Sequence, residues 1–371
     1  MTINDRLGLI LFFRSLGSET PCLNLYEILH HIEKDVDVLC VYYIDSRPGI
    51  FNNACKITMS PKASLSAQIC NYTKCQFQIA SYIMRHKNID NWIVFLGESN
   101  FTILLLLKLL NKRVSLLLAG STITDQKLNS HQLFTVTKFN ITMSYYLAHT
   151  IILYSTCLIH KWNLQKFCNK IEIAPRHYLN FKKYSVTAPL HGRPLLIGYI
   201  GRLSVEKGVL NLIRAIPAIF NRQEDSRIFI GGDGDLKDSI QASLREGGVT
   251  ARVDLPGWIS HDDLPRYLNQ LRLLVLPSYT EGLPNIMLEA MACGTPVLAT
   301  PVGAIPDVII DGKTGFIMEN NSPECIAENV IRALNSPDLE EIAEAGRRFV
   351  EEHFTFEKVV ENWKKVLQNI S

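Results

Sequence analysis

The sequence predicts an α/β protein with two doubly wound domains, and three observations support this prediction. Short apolar runs alternate with longer segments of helical period along most of the 371 residues. This length suits about two domains of roughly 150 residues each. Composition also changes midway, because residues 1–190 carry 20 basic and 11 acidic side chains whereas residues 191–371 carry 18 and 25. Such a change indicates two domains with different roles.

Apolar runs separated by helical segments are typical of strands in parallel sheets that are covered on both faces. The predicted strands of the first half are 7–13, 37–43, 92–96, 113–119 and 150–154, and the predicted helices are 20–33, 64–87, 99–110 and 132–147. The predicted strands of the second half are 195–200, 227–231, 252–255, 272–276 and 296–299, each followed by a helical stretch. Two such sheets predict a ligand cleft between the domains, at the carboxyl ends of the strands.

A stretch of proline, glycine and small polar residues, 184–194, interrupts this alternation. The sequence therefore predicts a first domain over 1–188 and a second over 189–354. We expect the final amphipathic segment, 355–371, to be a helix that packs back on the first domain.

Composition and motifs exclude several classes of function. A net charge of +2 without low-complexity tracts is not typical of a disordered chain or a general nucleic-acid binder. Lys313 lies in a segment that resembles the end of a P-loop, but Asp307 stands where that motif requires glycine. The sequence contains no G-x-S-x-G elbow and no C-x-x-C pair among its nine cysteines. We therefore expect reduced thiols in a cytoplasmic protein.

A turn with two cations, GRLSVEKG, follows the first predicted strand of the second half. It places Arg202 and Lys207 five residues apart, after Gly201. Cationic side chains between a strand end and a helix start form a compact anion site. The pattern predicts a phosphate site, with a surface turn of two solvated cations as the alternative.

The segment EGLPNIMLEA, after the fourth predicted strand of the second half, has a second pattern. Gly282 permits a tight turn and Pro284 suits the first helical position, so the amides of the helix start can receive a phosphate. Glu281 and Glu289 lie eight residues apart and can accept hydrogen bonds from sugar hydroxyls. If a diphosphate binds here, the negative charges of these two glutamates require cations nearby. The two cations of the first turn can fill this role.

The glycine-rich segment GGDGD follows the second predicted strand of the second half. A dinucleotide fingerprint would need a third glycine where the chain has Lys237. Asp233 and Asp235 leave divalent-metal binding open. We favour a turn whose backbone at Gly232 and Gly234 lies near a nucleotide base or ribose.

The segments GRLSVEKG, GGDGD, PSYTEGLPNIMLEAMACGTPVLAT and GAIPDVIIDGKTGF follow in this order within residues 195–335. In sequence and spacing they resemble the donor domain of the retaining GT-B glycosyltransferases of family 4. The resemblance implies two Rossmann-like domains that face a cleft and a nucleotide-sugar donor. It also implies transfer with retention of the anomeric configuration and without a metal cofactor.

The resemblance further implies roles for individual residues. Arg202 and Lys207 would hold the donor diphosphate and stabilise the charge that grows on the leaving nucleotide, which makes them catalytic. Glu281 would contact hydroxyls of the donor sugar and is the third residue predicted to be catalytic. Glu289 would bind the ribose. The other donor-binding positions are Gly17, Gly201, Gly232, Gly234, Gly282, Leu283 and Pro284.

The first half departs from the family pattern. Gly17 stands alone where the family has a glycine pair, and Ala119 stands where a histidine is usual. Residues 174–178 read APRHY in place of the family's N-G-V-D pattern. Glu98 and Ser121 are candidate substitutes at the cleft, with a structural role as the alternative.

The leading hypothesis is a retaining glycosyltransferase that moves a sugar from a UDP- or GDP-sugar to an acceptor hydroxyl on a glycan or lipid-linked saccharide. The alternative is a catalytically weak nucleotide-sugar-binding subunit that supports a partner glycosyltransferase. An epimerase or phosphorylase would need an acid/base set or a cofactor lysine, and we identify neither. The basic first half suits peripheral attachment to an anionic membrane face, and no nucleic-acid partner is expected.

Overall fold

The computed structural model describes residues 6–13, 19–33, 35–42, 55–58, 65–97, 100–118 and 134–370. The chain divides into two compact units, of which unit 1 contains Met1–His177 and Glu357–Ser371 and unit 2 contains Tyr178–Phe356. Each unit has one parallel β-sheet with helices, so the predicted α/β class with two doubly wound sheets is confirmed.

The sheet of unit 1 has seven parallel strands. They are β1 (Leu7–Phe13), β2 (Val36–Tyr42), β3 (Cys55–Thr58), β4 (Asn91–Phe95), β5 (Arg113–Leu117), β6 (Thr150–Leu153) and β7 (Ile171–Ile173). Their order is β3-β2-β1-β4-β5-β6-β7. The chain thus extends the sheet from β1 in both directions, which is the doubly wound topology. All five residues of β4 are buried, as expected for a central strand covered on both faces.

Five strands of unit 1 lie within two residues of their predicted positions, but β3 and β7 were not predicted. Both are short edge strands, and a charged residue interrupts the apolar run of each: Lys56 in β3 and Glu172 in β7. The helices described between these strands are α1 (Glu19–Ile32), α2 (Leu65–Arg85), α3 (Phe101–Leu109), α4 (Phe134–Leu147) and α5 (Cys157–Lys161).

The sheet of unit 2 has six parallel strands. They are β8 (Leu196–Ile200), β9 (Arg227–Gly231), β10 (Val253–Gly257), β11 (Leu273–Leu276), β12 (Val297–Ala299) and β13 (Phe316–Ile317), in the order β10-β9-β8-β11-β12-β13. The helices are α6 (Val209–Arg222), α7 (Lys237–Glu246), α8 (Leu264–Leu268), α9 (Asn285–Ala292), α10 (Pro323–Leu334) and α11 (Leu339–His353).

Two details of unit 2 differ from the prediction. Strand β13 was missed because only two residues pair with β12. The helical stretch expected after β12 is a single 3-10 turn, Ile305–Asp307, in which a proline occupies the first turn. The core between the sheet and α6 follows the predicted helical period, since the apolar residues of one face of α6 are buried: Val209, Leu212, Ile213, Ala215, Ile216, Ile219 and Phe220.

The division between the units lies at residues 177 and 178, whereas the sequence suggested 188 and 189. The intervening segment has little regular secondary structure, but it packs on unit 2. The amide of Thr187, for example, donates to the Oδ1 atom of Asn269 at 2.8 Å. Proline and small polar residues end a helix or strand without ending a domain, which explains the difference.

The last helix, α12 (Phe356–Ile370), belongs to unit 1 for all but its first residue. The Trp363 indole donates to the carbonyl oxygen of Pro175 at 2.9 Å. The Asn369 amide donates to the Glu172 carboxylate at 3.1 Å, beside β7. No helix within the described ranges combines the length and the apolarity that crossing a bilayer would require.

Arg193 is a buried cation that fastens the segment before β8 to unit 2. All three nitrogens of its guanidinium donate hydrogen bonds, including bonds of 2.7 Å to the Thr295 hydroxyl and 2.8 Å to the carbonyl oxygen of Cys293. Further acceptors are the carbonyl oxygens of Ala188, Leu268 and Leu271 and the side-chain oxygen of Asn269. Dipoles of the backbone therefore replace water around this charge.

Replacement of Arg193 by methionine should destabilise the protein strongly. The variant leaves several buried oxygens without a donor, each costing about 1–3 kcal/mol, so we expect a loss on the order of 4 kcal/mol. The measurement is the midpoint of thermal unfolding. Arg227→Met is the matched control, since Arg227 forms an exposed ion pair with Asp254 that is worth about 0–1 kcal/mol. Equal losses in the two variants would contradict this role of Arg193.

Candidate functional site

Three loops of unit 2 meet at one edge of its sheet. They follow β8, β11 and β9, and we call them loop A (201–208), loop B (277–284) and loop C (232–236). Since β9, β8 and β11 are neighbours and parallel, their carboxyl ends lie side by side. In open parallel sheets this edge is where ligands bind.

Backbone hydrogen bonds join loop A to both other loops. The amide of Leu203 donates to the carbonyl oxygen of Asp233 in loop C at 2.9 Å. The amide of Tyr279 in loop B donates to the carbonyl oxygen of Glu206 at 2.9 Å. The three motifs of the sequence therefore lie together.

An ion pair joins Lys207 of loop A to Glu281 of loop B. The Lys207 ammonium lies 2.8 Å from each carboxylate oxygen of Glu281, and the Ser278 hydroxyl donates to one of these oxygens at 2.8 Å. The Glu281 side chain is 8% exposed and that of Lys207 is 27% exposed. Partial shielding from water makes the attraction stronger than in a surface pair.

Arg202, the other predicted cation, is more exposed than Lys207. Its guanidinium lies 3.8 Å from the Glu206 carboxylate, which also accepts a hydrogen bond of 2.7 Å from the Ser204 hydroxyl. Burial alone would raise the pKa of Glu206, but the Ser204 bond and the two cations of loop A lower it below its ordinary value. Glu206 is therefore an ionised group beside Arg202 that the sequence analysis did not single out.

The glycine at the end of loop A is required by packing. Gly208 has φ of 66°, in the left-handed region that favours glycine. A Cβ atom there would collide with the carbonyl oxygen of Pro277 in loop B. That oxygen also accepts a hydrogen bond of 3.0 Å from the Asn321 amide. Glycine thus lets loop A approach loop B closely enough for the ion pair to form.

The predicted donor-binding glycines of loop C are also held by close packing. Gly232 and Gly234 have φ of 133° and 155°, and a Cβ atom on either would clash with backbone of loop A. The neighbours concerned are the carbonyl oxygens of Gly201 and Leu203. This packing accounts for two of the predicted glycines, Gly232 and Gly234, by backbone contact between loops A and C, while their contact with a donor stays a prediction.

Loop B leads directly into helix α9. Pro284 is the N-cap residue, so the helix begins at Asn285, one position later than the sequence suggested. The carbonyl oxygen of Gly282 accepts a hydrogen bond of 2.8 Å from the amide of Ala304, and Leu283 is buried. Proline has no side-chain acceptor, and no other described side chain caps α9. The helix start therefore presents a positive dipole end at the loops.

Glu289 lies in α9 and is engaged by a residue that the sequence analysis did not identify. It is buried, and the Tyr184 hydroxyl donates to its carboxylate at 2.9 Å. Burial raises the pKa of Glu289, and burial together with the Glu289 charge raises the pKa of Tyr184. Tyr184 lies in the segment treated as a linker, where no sequence signal marked it. A ribose contact of Glu289 would have to use lone pairs not taken by Tyr184.

Asp233 and Asp235 of loop C are exposed. The Asp233 carboxylate accepts a hydrogen bond of 3.0 Å from the amide of Gly234 and lies 3.5 Å from the Lys237 ammonium. Within the ranges that the structure describes, no three His, Cys, Asp or Glu side chains group in a metal-binding arrangement. The absence of a metal cofactor stays a prediction.

Four positions of the first half lie outside the described residues. They are Gly17, Glu98, Ala119 and Ser121. The predicted donor contact of Gly17 and the candidate roles of Glu98 and Ser121 at the cleft therefore stay predictions.

Replacement of Glu289 by glutamine should leave stability equal or higher at pH 7. The pKa of Glu289 in the folded chain is raised above the 4.5 of an exposed glutamate, so ionisation of this carboxyl lowers the stability of the folded state. The loss is absent below the unfolded pKa and grows as pH rises through the folded pKa. The advantage of Glu289→Gln in melting temperature should therefore shrink between pH 7 and pH 4.

Glu361→Gln is the control of opposite sign. Hydrogen bonds from Lys365 and Lys358 lower the pKa of the exposed Glu361, so this variant should gain nothing at pH 7. An advantage of Glu289→Gln that is unchanged at low pH would contradict the proposed cost of ionisation.

Comparison with known proteins finds relatives that match the segment containing these loops. Residues 181–349 match the family model described as glycosyl transferases group 1. An uncharacterised glycosyltransferase of Methanocaldococcus jannaschii is 32% identical over 174 residues, which cover 47% of this chain and 48% of the relative. The α-D-kanosaminyltransferase of Streptomyces kanamyceticus is 33% identical over 152 residues, covering 41% and 39% of the two chains. The chain thus spans about half, or less, of the length of these relatives.

The fold of the whole chain also has a solved counterpart. The Anabaena protein HepE, crystallised in complex with UDP, superposes with a TM-score of 0.77 at 15% identity, over 98% of this chain and 100% of the other. Residues 181–349, which hold loops A, B and C, thus match the glycosyl transferases group 1 model, and the chain has the two-domain GT-B fold.

Proposed function

We propose that this protein is a retaining glycosyltransferase of family 4 that transfers a sugar from a nucleotide-sugar donor to an acceptor hydroxyl. The observation that carries the proposal is the shielded Lys207–Glu281 pair between loops A and B. It lies within the residues that match the group 1 family model, at the carboxyl edge of a parallel sheet and beside the start of α9. One partner suits a phosphate and the other suits a sugar hydroxyl.

The pair retains hydrogen-bonding capacity for a ligand. An ammonium group has three N–H donors, and the two contacts with Glu281 leave one for a phosphate oxygen. The Oε1 atom of Glu281 already accepts from Lys207 and Ser278, but Oε2 accepts only from Lys207 and can accept a further bond from a hydroxyl of the donor sugar. Both residues can therefore bind the donor without breaking the contact that positions them.

Transfer breaks the bond between the sugar's anomeric carbon and the diphosphate oxygen, and forms a bond from that carbon to the acceptor oxygen. The acceptor proton passes to the departing phosphate, so the products are a glycoside and a nucleoside diphosphate. Negative charge grows on the phosphate as the bond breaks. In this proposal Lys207, Arg202 and the dipole of α9 stabilise this charge, which is the usual role of fixed donors in catalysis.

Positive charge from the protein can replace the divalent cation that would otherwise neutralise a diphosphate. Arg202 and Lys207 supply two such charges within loop A, which supports metal-independent transfer. Insensitivity of turnover to EDTA tests this part of the proposal.

An exposed aromatic residue next to loop C suits the nucleotide base. Trp258 is 71% exposed and follows the last residue of β10. The carbonyl oxygen of Gly257 accepts a hydrogen bond of 2.7 Å from the amide of Gly232, so loop C lies beside this tryptophan. We propose that the indole stacks on the base.

Trp258→Ala should raise the KM for the donor about tenfold with little change in kcat, whereas Trp258→Phe should stay close to wild type. Equal KM values for all three proteins would contradict stacking.

The acceptor is proposed as a hydroxyl of a glycan or of a lipid-linked saccharide. The excess of basic over acidic residues in the first half, 20 against 11, is compatible with an anionic acceptor or membrane face.

The test is nucleotide release by the purified protein with a panel of UDP-, GDP-, ADP- and dTDP-sugars, with and without EDTA, and with thermal stabilisation as a second readout. We expect stabilisation and EDTA-insensitive turnover with one donor, and UDP-sugars are tested first. Stabilisation without turnover in the presence of glycan acceptors would favour the supporting-subunit alternative. Absence of both responses to every donor would contradict the proposal.

Replacement of Lys207 by methionine should lower kcat by about 10²–10³-fold, which is the usual cost of losing one electrostatic donor. The matched control is Lys237→Met. Lys237 is the first residue of α7, directly after loop C, and forms an exposed ion pair with Asp233. We expect the control to keep wild-type turnover within about twofold. Equal losses in the two variants would show that Lys207 has no specific role.

A further inference from the structure

Unit 1 contains a buried arginine with almost no hydrogen-bond partners. Arg176 and His177 follow β7 and are 6% and 5% exposed. The Nη1 atom of Arg176 lies 3.1 Å from the Nε2 atom of His177. The Nε atom of Arg176 is buried without a partner, and among the described residues no carboxylate forms an ion pair with this guanidinium. A full positive charge is thus buried beside a single neutral acceptor.

Arg193 shows how this chain treats a buried arginine with a structural role. It is also 6% exposed and has no carboxylate partner, but each of its guanidinium nitrogens donates to at least one oxygen. Arg176 has the same burial without those oxygens. Because unpaired buried charges are costly, the difference indicates that a group absent from the free chain completes the surroundings of Arg176.

The location of Arg176 is one at which parallel sheets bind ligands. Its guanidinium lies 5.2 Å from the ring centre of Phe95, the last residue of β4. The ring of Tyr154, which directly follows β6, lies 6.0 Å from that of His177. Arg176 is therefore at the carboxyl edge of the sheet of unit 1, where ligands of doubly wound folds are bound.

His177 adds a second donor to the same place. Burial, together with the charge of Arg176, lowers the pKa of His177 well below its ordinary value, so the imidazole is neutral. Its Nε2 atom accepts from Arg176, which assigns the remaining proton to Nδ1. Within the part of the chain that the structure describes, the Nδ1 atom is buried without a hydrogen-bond partner. Two unsatisfied N–H donors, one of them charged, are thus adjacent.

We propose that Arg176 and His177 form a binding site for an oxyanion, a carboxylate or a phosphate, that is carried by the acceptor. With Nη1 engaged by His177, the Nε–Nη2 edge of the guanidinium remains, and its two parallel N–H groups match the oxygens of a carboxylate or phosphate. A neutral sugar hydroxyl could satisfy one donor but would not offset the charge.

The assignment of the oxyanion to the acceptor rests on the proposed transferase function. The donor diphosphate already has two cations, Lys207 and Arg202, in unit 2. Arg176 and all its contacts described above belong to unit 1. A second anion-binding group therefore serves a second substrate, which for a transfer reaction is the acceptor.

The test is calorimetry and thermal unfolding of the full chain with inorganic phosphate, with glucuronate and with neutral glucose as separate probes. Phosphate or glucuronate should bind and raise the melting temperature, and the stronger of the two identifies the oxyanion source, while glucose should do neither. Saturating UDP should leave this binding unchanged. Displacement of the oxyanion by UDP would assign it to the donor and overturn the proposal.

Arg176→Met should weaken oxyanion binding about tenfold or more, because it removes charge-assisted hydrogen bonds. Its melting temperature without ligand should not fall, since an unpaired buried charge is removed. Arg176→Lys keeps the charge without the parallel donors and should also bind more weakly. The control is Arg113→Met, because Arg113 lies at the amino end of β5 and donates to the carbonyl oxygen of Ile370. It should bind as wild type does.

Three results would overturn the proposal: no oxyanion binding by wild type, equal binding by wild type and Arg176→Met, or a response that Lys207→Met removes instead. None of them depends on turnover. An Arg176-dependent response without any nucleotide-sugar turnover would leave the oxyanion site in place and remove the transferase proposal. The failures of the two proposals can therefore be told apart.

Discussion

The ion pair between Lys207 and Glu281 is the interaction on which the candidate site of unit 2 depends. It joins loop A to loop B with both carboxylate oxygens 2.8 Å from the ammonium, in a place that water reaches only partly. Shielding two charges costs free energy that their attraction does not reliably offset, so such a pair is weak evidence for a stabilising role. Ligand binding explains the pair if the ligand has a phosphate that requires a cation and hydroxyls that require an acceptor. The surrounding backbone follows from this requirement, since Gly208 and Pro277 bring the two loops into contact.

Two buried arginines of this molecule differ in the number of their hydrogen-bond partners. Arg193 is a buried charge whose nitrogens all donate to oxygens, and it binds the segment before β8 to the carboxyl ends of α8 and α9. Arg176 is equally buried in unit 1, where its Nε atom and the Nδ1 atom of His177 have no hydrogen-bond partner among the residues that the structure describes. The two arginines thus have different chemical roles although their residue type and exposure are the same.

Much of the fold could be predicted from the sequence because it follows from apolar periodicity. Strands with long apolar runs were placed within two residues, whereas β3, β7 and β13 were missed because each is short and lies at a sheet edge. The proximity of the three motif loops follows from the rule that the carboxyl ends of parallel strands lie at the same edge of a sheet. Tyr184 could not be predicted as the partner of Glu289, because the two residues lie 105 positions apart in the sequence. Ser278 lies only three residues before Glu281, but its contact depends on the conformation of loop B. Arg176 appeared in the sequence only as a departure from a family pattern, since burial without partners is a property of packing.

The most direct test of the central claim is a crystal structure of the protein with UDP bound, or with GDP if the donor panel selects it. The account predicts that the diphosphate lies at loops A and B, with an oxygen within hydrogen-bond distance of the Lys207 ammonium and near the first amides of α9. It also predicts that Lys207 keeps a contact with Glu281. A nucleotide whose diphosphate lies away from loops A and B, with the pair unchanged, would contradict the assignment of this site.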